Sequence, residues 1–262
     1  MRALEIARRL RRRARGGERR RAFPDMTTAL LGRPRVFRAP PFTPELLSAI
    51  QLISPHLPLL PDEHSRTAWE AAQNGSCWGE FDALGPILSA LPRPGRVLEI
   101  GPGLGRSAVF LTQQLGWQDA AFDLLEADGN ETHYTTLGPR LEHSFCGSIQ
   151  TLEKVLAFNR LENCRVIDAA QSGCQLGDLS GPYDVIYSFY AVGFHWGLEH
   201  FLDDVLALMH ERTLAIFTLA DGFSEFAGLA PLRRRSVEFS RAYPANTTGR
   251  MLLLCKGDDV LA

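Results

Sequence analysis

The sequence predicts an α/β fold: a doubly wound, mainly parallel sheet of seven strands with a helical cap on its N-terminal side. Three observations carry this. From Arg96 onward, short apolar strands alternate with segments of helical periodicity, which implies βαβ crossovers and a sheet covered on both faces. The first of these strands runs straight into a glycine-rich turn that opens a helix. The last two strands are separated only by turn residues around Pro244, Asn246 and Gly249, so they read as an antiparallel hairpin at one edge.

Three zones follow in order. Residues 1–40 form a basic arm, in which Leu4, Ala7, Leu10 and Ala14 make only a narrow stripe before Gly16 and Gly17 interrupt it. Such an arm suits an anionic partner, or is a solvated tail, or precedes a true start at Met26. Residues 41–94 read as a helical cap. One helix opens near Thr43 or Pro44 and carries Leu46, Leu47, Ile50 and Leu52; a second runs from Ser65 through Trp69 and Ala72 to Phe81, Leu84, Ile87, Leu88 and Leu91. Residues 95–262 hold the α/β domain. Its strands are expected at 96–100, 120–125, 164–167, 183–189, 214–218, 236–241 and 251–254. Its helices are expected after the glycine turn, over 148–161, and over 198–209, where Leu198, Phe201, Leu202, Val205, Leu206 and Met209 share one face.

Composition narrows the function classes. The 262 residues are 45% hydrophobic and 22% charged, which excludes a disordered or fibrous chain. Apolar runs such as 214–220 fall far short of the roughly 20 residues that span a bilayer. No apolar h-region follows the N-terminal arginines, so the expected location is the cytoplasm. Cys77, Cys146, Cys164, Cys174 and Cys255 are scattered and odd in number, which argues against a disulfide framework or zinc knuckle. The net charge of −2 hides an asymmetry: residues 1–21 hold ten arginines against Glu5 and Glu18, and the rest of the chain is net acidic. An acidic body disfavours broad contact with a nucleic-acid backbone.

The most informative segment is Val97-Leu-Glu-Ile-Gly-Pro-Gly-Leu-Gly-Arg106. It places bare backbone at the carboxyl edge of the sheet, where doubly wound folds bind ligands. A dinucleotide fingerprint needs Gly or Ala where Arg106 stands, and no Gly-Lys-Ser/Thr or Gly-x-Ser-x-Gly occurs in the chain. What fits is a nucleoside with a zwitterionic tail and no pyrophosphate. Glu126, 21 residues after Gly105, ends the second strand and suits the two hydroxyls of a ribose. Asp168, with Ala169 beside it, can reach an adenine amine from the third strand, and Glu99 is placed to hold an ammonium or a water. Both Glu126 and Asp168 could instead be solvated strand-end acids.

On Glu99-Ile-Gly-Pro-Gly-Leu-Gly105, Glu126, Ile167-Asp-Ala169 and Tyr183-Asp-Val-Ile-Tyr-Ser188, the chain resembles the class I S-adenosylmethionine-dependent methyltransferases over residues 94 to 256. The resemblance implies a Rossmann-like methyltransferase fold with the last strand inserted antiparallel, and S-adenosyl-L-methionine as cofactor. It assigns Gly101, Gly103 and Gly105 to the methionine portion and Glu126 to the ribose; Glu99, Asp168, Ala169 and Ser188 complete the expected cofactor set. Trp69-Glu-Ala-Ala-Gln-Asn-Gly-Ser76, Arg106-Ser107 and Ser188-Phe-Tyr-Ala-Val-Gly-Phe-His-Trp196 also look like bacterial sugar O-methyltransferases, which implies a hydroxylated small-molecule acceptor, such as a sugar.

The acceptor side is expected after the fourth strand, where Tyr190, His195, Trp196, Glu199 and His200 cluster. His195 is the candidate general base, because an imidazole titrates near neutral pH. Tyr190 and Trp196 would form a stacking wall, although His195 and Trp196 could equally pack at a helix start. A divalent cation is not favoured, since His195 and His200 diverge on a helix. Two rival functions stand beside this one. The glycine loop also looks like that of rRNA adenine dimethyltransferases, but the Asn/Asp-Pro-Pro-Tyr motif they carry is replaced by Ser188-Phe-Tyr-Ala here. A non-catalytic interaction module would have an eroded loop or a lost ribose acid, and neither is seen. The oligomeric state is not encoded in any pattern found.

Overall fold

The computed structural model describes residues 33–53, 59–127, 148–171, 173–193, 197–220, 223–241 and 247–257. Residues 1–32 of the basic arm lie outside them. Strands β1 (Arg96–Ile100), β2 (Ala121–Glu126), β3 (Cys164–Asp168), β4 (Tyr183–Ser188) and β5 (Met209–Leu219) are parallel. β7 (Thr247–Cys255) is inserted antiparallel between β5 and the edge strand β6 (Arg233–Arg241), giving the order β3-β2-β1-β4-β5-β7-β6. β1 therefore lies between β2 and β4. Strand order reverses there, and doubly wound sheets bind their ligands beyond the carboxyl ends of the strands at such a point.

Alternation along the central strands supplies two cores. Val97, Tyr187 and Ile216 face one hydrophobic cluster; Leu98, Ile186 and Phe217 face the other. Helix α1 (Pro44–Ile53), α2 (Glu63–Ala90), α3 (Arg106–Leu115) and α4 (Ile149–Phe158) precede α5 (Leu202–Ala207) in the chain. The first four contribute to the Val97 side, where Ile50, Leu84, Val109 and Leu152 are buried. Asp62 opens α2 by accepting a hydrogen bond from the Ser65 amide at 2.7 Å. The helix packs on β6 so closely that a Cβ at Gly79 would lie 2.0 Å from the Ser240 carbonyl oxygen. Only glycine permits that approach. No described helix is long and apolar enough to cross a membrane.

Three features differ from the sequence reading or extend it. Residues 33–39, at the end of the stretch read as an arm, form an extended strap. Asn74 accepts the Val36 and Phe37 amides at 2.8 and 3.0 Å and donates to the Phe37 carbonyl. Asn159, at the end of α4, clasps Arg38 in the same way, and Phe37 meets Trp69 edge-on. The single helix expected over 198–209 is a 3₁₀ turn (Leu198–His200) followed by the short α5, because Met209 pairs with Tyr183 and begins β5. β6 extends back through Arg233, Arg234 and Arg235, all exposed on the sheet's outer edge, where like charges discourage edge-to-edge pairing.

Candidate functional site

β1 delivers the chain into Gly101, Gly103 and Gly105, with φ of 69°, 59° and 70°. Three left-handed residues in alternate positions fold the backbone into a tight loop, and Gly105 caps α3. At Gly103 a Cβ would meet nothing within 4 Å, so this glycine faces open space and leaves its backbone approachable. Its amide donates to Glu126 Oε2 at 2.8 Å, while Glu126 Oε1 accepts the Ala127 amide at 3.0 Å. The end of β2 is thereby tied to the tip of the loop. A carboxylate offers about four acceptor positions, so hydroxyls of a bound ribose are within the chemistry of Glu126. An open glycine backbone beside a strand-end carboxylate fits the nucleoside ligand expected from the sequence.

Glu99, two residues before the loop, is only 1% exposed. Its Oε2 accepts the Tyr187 hydroxyl at 2.8 Å. Burial pushes its carboxyl up to about 8, against the opposing influence of Tyr187 and Arg106 and with help from Glu126 and Glu80. A carboxyl whose folded pKa lies above its unfolded value stabilises the fold fully at low pH, and that contribution is lost as pH rises from about 4.5 through 8. Glu99→Gln keeps an acceptor for Tyr187 and cannot ionise. The variant should match the native chain in thermal melts below about pH 4 and melt higher at alkaline pH. Equal pH dependence of the two proteins would show that Glu99 is ionised throughout.

The remaining expected cofactor residues divide by position. Asp168 pairs in register with Glu126 across β2 and β3, and its Oδ1 accepts the Ala170 amide at 3.0 Å. Ala169 donates its amide to the Glu126 carbonyl at 2.8 Å, which brings it to the same edge. Ser188 is fully buried. Its hydroxyl donates to the Ile100 carbonyl and accepts the Val192 amide, so it fastens the turn after β4 to the end of β1 from behind. Tyr190 heads that turn with φ of 67° and meets Phe239 of β6 edge-on. His195 and Trp196 lie outside the described residues. Glu199 and His200 are half exposed and 3.8 Å apart. Among the described residues, no three His, Cys, Asp or Glu side chains gather as a metal site.

Two residues at the site were not anticipated. Glu80 from α2 forms a two-pronged ion pair with Arg106, at 2.7 and 3.2 Å, and Cys77 lies 3.2 Å from the same guanidinium. Burial pushes the Cys77 thiol up to about 12 despite Arg106, so it stays neutral. A signal was present: Cys77, Glu80 and Leu84 share one helical stripe, and an acid on a buried stripe needs a cation. A second network fixes the amino end of the sheet, where Asp123 accepts from Arg165, Arg96 and the Tyr183 hydroxyl.

No model of a known family matches the chain, and no curated protein matches it. Solved structures do. A point mutant of MtNAS in complex with S-adenosylmethionine aligns at a TM-score of 0.50 with 12% identity, covering 82% of this chain and 73% of that one. MtNAS in complex with MTA and tNA gives the same score and identity over 82% of this chain and 70% of that one. Spermidine synthase from Thermotoga maritima shares 16% identity over 71% of this chain and 60% of that one, at a TM-score of 0.45. At such identities the likeness speaks to fold. The chain has the seven-stranded, Rossmann-like fold, as its likeness to MtNAS also indicates.

Proposed function

We propose that the chain is an S-adenosylmethionine-dependent methyltransferase whose acceptor is a sugar or another hydroxylated small molecule in the cytoplasm. The observation that carries the cofactor assignment is the Gly103–Glu126 hydrogen bond at the switch point, with backbone open on the other side of Gly103. The cofactor, when bound, supplies an electrophilic methyl group on a sulfonium. The protein's own residues then have separable tasks. Glu126 accepts from the ribose hydroxyls, and Asp168 and Ala169 meet the adenine edge. The Gly101–Gly105 backbone lies along the methionine portion, and Glu99 faces its ammonium. A cation there would favour the ionised form of Glu99 over the protonated form that burial otherwise imposes.

On the acceptor side, His195 takes the hydroxyl proton and Tyr190, with Trp196, walls the acceptor ring. His195→Ala should lower turnover by about a hundredfold or more while leaving cofactor affinity nearly intact. Full activity in that variant would assign the base elsewhere or to solvent. The reaction class is tested by incubating the chain with S-adenosylmethionine labelled on its methyl carbon and a panel of sugars, with and without Mg²⁺. Label in a sugar ether, with release of S-adenosylhomocysteine, is the expected result. Release of 5′-methylthioadenosine with no label transferred would overturn methyl transfer.

A further inference from the structure

We propose that Arg106 is a positioning residue that ties the helical cap to both walls of the ligand crevice, an inference that rests on S-adenosylmethionine binding at the glycine loop. Arg106 is the first residue of α3, immediately after Gly105, and its side chain is 15% exposed. Three elements converge on it. From α2, Glu80 grips both prongs of the guanidinium and Cys77 touches one of them. From the turn after β4, the Tyr190 ring presents its π system 5.7 Å from the guanidinium carbon. From its own backbone, Arg106 continues the glycine loop.

The reach of this contact explains why it matters. Among the described residues only Arg160 and Tyr190 combine a side chain with a positive φ. Such a conformation persists only where its surroundings hold it. Tyr190 is held between Arg106 and Phe239, and the next residue, Ala191, abuts the loop so tightly that a Cβ at Gly101 would lie 2.4 Å from its own. A shift of Tyr190 therefore displaces the first glycine. Glu80 cannot drift to accommodate one, because its neighbour Gly79 is pressed against the Ser240 carbonyl of β6. Placement thus runs from β6 through α2 and Glu80 to Arg106, and from there to the glycine loop and Tyr190 together. With both prongs on Glu80, the guanidinium acts on the walls of the crevice and is not itself a ligand group. The task needs a planar, two-pronged cation, which Lys does not provide.

The test uses calorimetric titration of the full chain with S-adenosylmethionine, alongside thermal melts. Arg106→Lys and Glu80→Gln should each lose about tenfold in affinity, the size of coupling that packed networks carry. Tyr190→Leu, which leaves the ion pair intact, should lose a similar factor. Combining it with Glu80→Gln should add little, since both changes act on one contact. Native affinity in Arg106→Lys or in Tyr190→Leu, whatever happens to the melting temperature, would overturn the proposal; so would fully additive losses in the double variant. If the ion-pair variants fail to fold, Tyr190→Leu decides alone. A native chain that is folded and binds no S-adenosylmethionine would instead remove the cofactor reading, and this inference with it.

Discussion

Glu80→Ala is expected to destabilise the fold by about 3–5 kcal/mol, because it strands the Arg106 guanidinium in a site with little water. The pair is closely made: Glu80 is 4% exposed at its side chain, Arg106 15%, and two hydrogen bonds join them. Taking two charges out of water is costly, so the pair itself contributes little net stability. Removing one partner leaves the whole cost of burying the other. In a chain of this length the loss should appear as a fall in melting temperature on the order of 10 °C. Glu80→Gln keeps the packing volume and separates the charge from the space it fills. An alanine variant that melts with the native chain would mean that Arg106 finds another anion or reaches solvent.

Glu126→Ala is expected to weaken S-adenosylmethionine binding by at least about 1–3 kcal/mol. Two losses combine. The ribose hydroxyls lose an ionised acceptor, and the Gly103 and Ala127 amides lose the oxygens that hold the loop tip to β2. Calorimetric titration measures the sum. Glu126→Gln separates the parts, since one amide oxygen can still take the Gly103 N–H while the charge is gone. Unchanged affinity in the alanine variant would place the ribose somewhere other than the end of β2.

Much of the fold was legible because it rests on local period. Strands β1 to β4 are short apolar runs bounded by turns, and Gly101, Gly103 and Gly105 announce a strand-to-helix loop by composition alone. The antiparallel β6–β7 hairpin was legible from the absence of any helical pattern between its strands. Where the reading of 198–209 went astray, the cause was equally local: Met209 continues a helical stripe and is also compatible with a strand, and its pairing with Tyr183 decides the matter. The strap was not legible. The hydrogen bonds that hold it include those to Asn74 and Asn159, which lie 38 and 121 positions from Val36 and Arg38.

The site shows the same division. Glu126 sits where the strand-end position placed it, bonded to the loop tip. Ser188 has a role that its place in the sequence did not reveal, since its partners on Ile100 and Val192 depend on how β4 lies beside β1. Arg106 stood out in the sequence as a residue too large for a dinucleotide loop and as part of the Arg106-Ser107 pair, not as a partner of Glu80. Its partnership with Glu80 spans 26 positions and two helices, and no spacing rule connects them.

Titration of the purified chain with S-adenosylmethionine, and separately with NADH, decides which cofactor the glycine loop holds. Saturable binding of S-adenosylmethionine alone is expected, because the loop presents open backbone beside the Glu126 carboxylate and carries Arg106 where a dinucleotide loop needs a small residue. Binding of neither ligand by a demonstrably folded sample, or binding of NADH in its place, would contradict it.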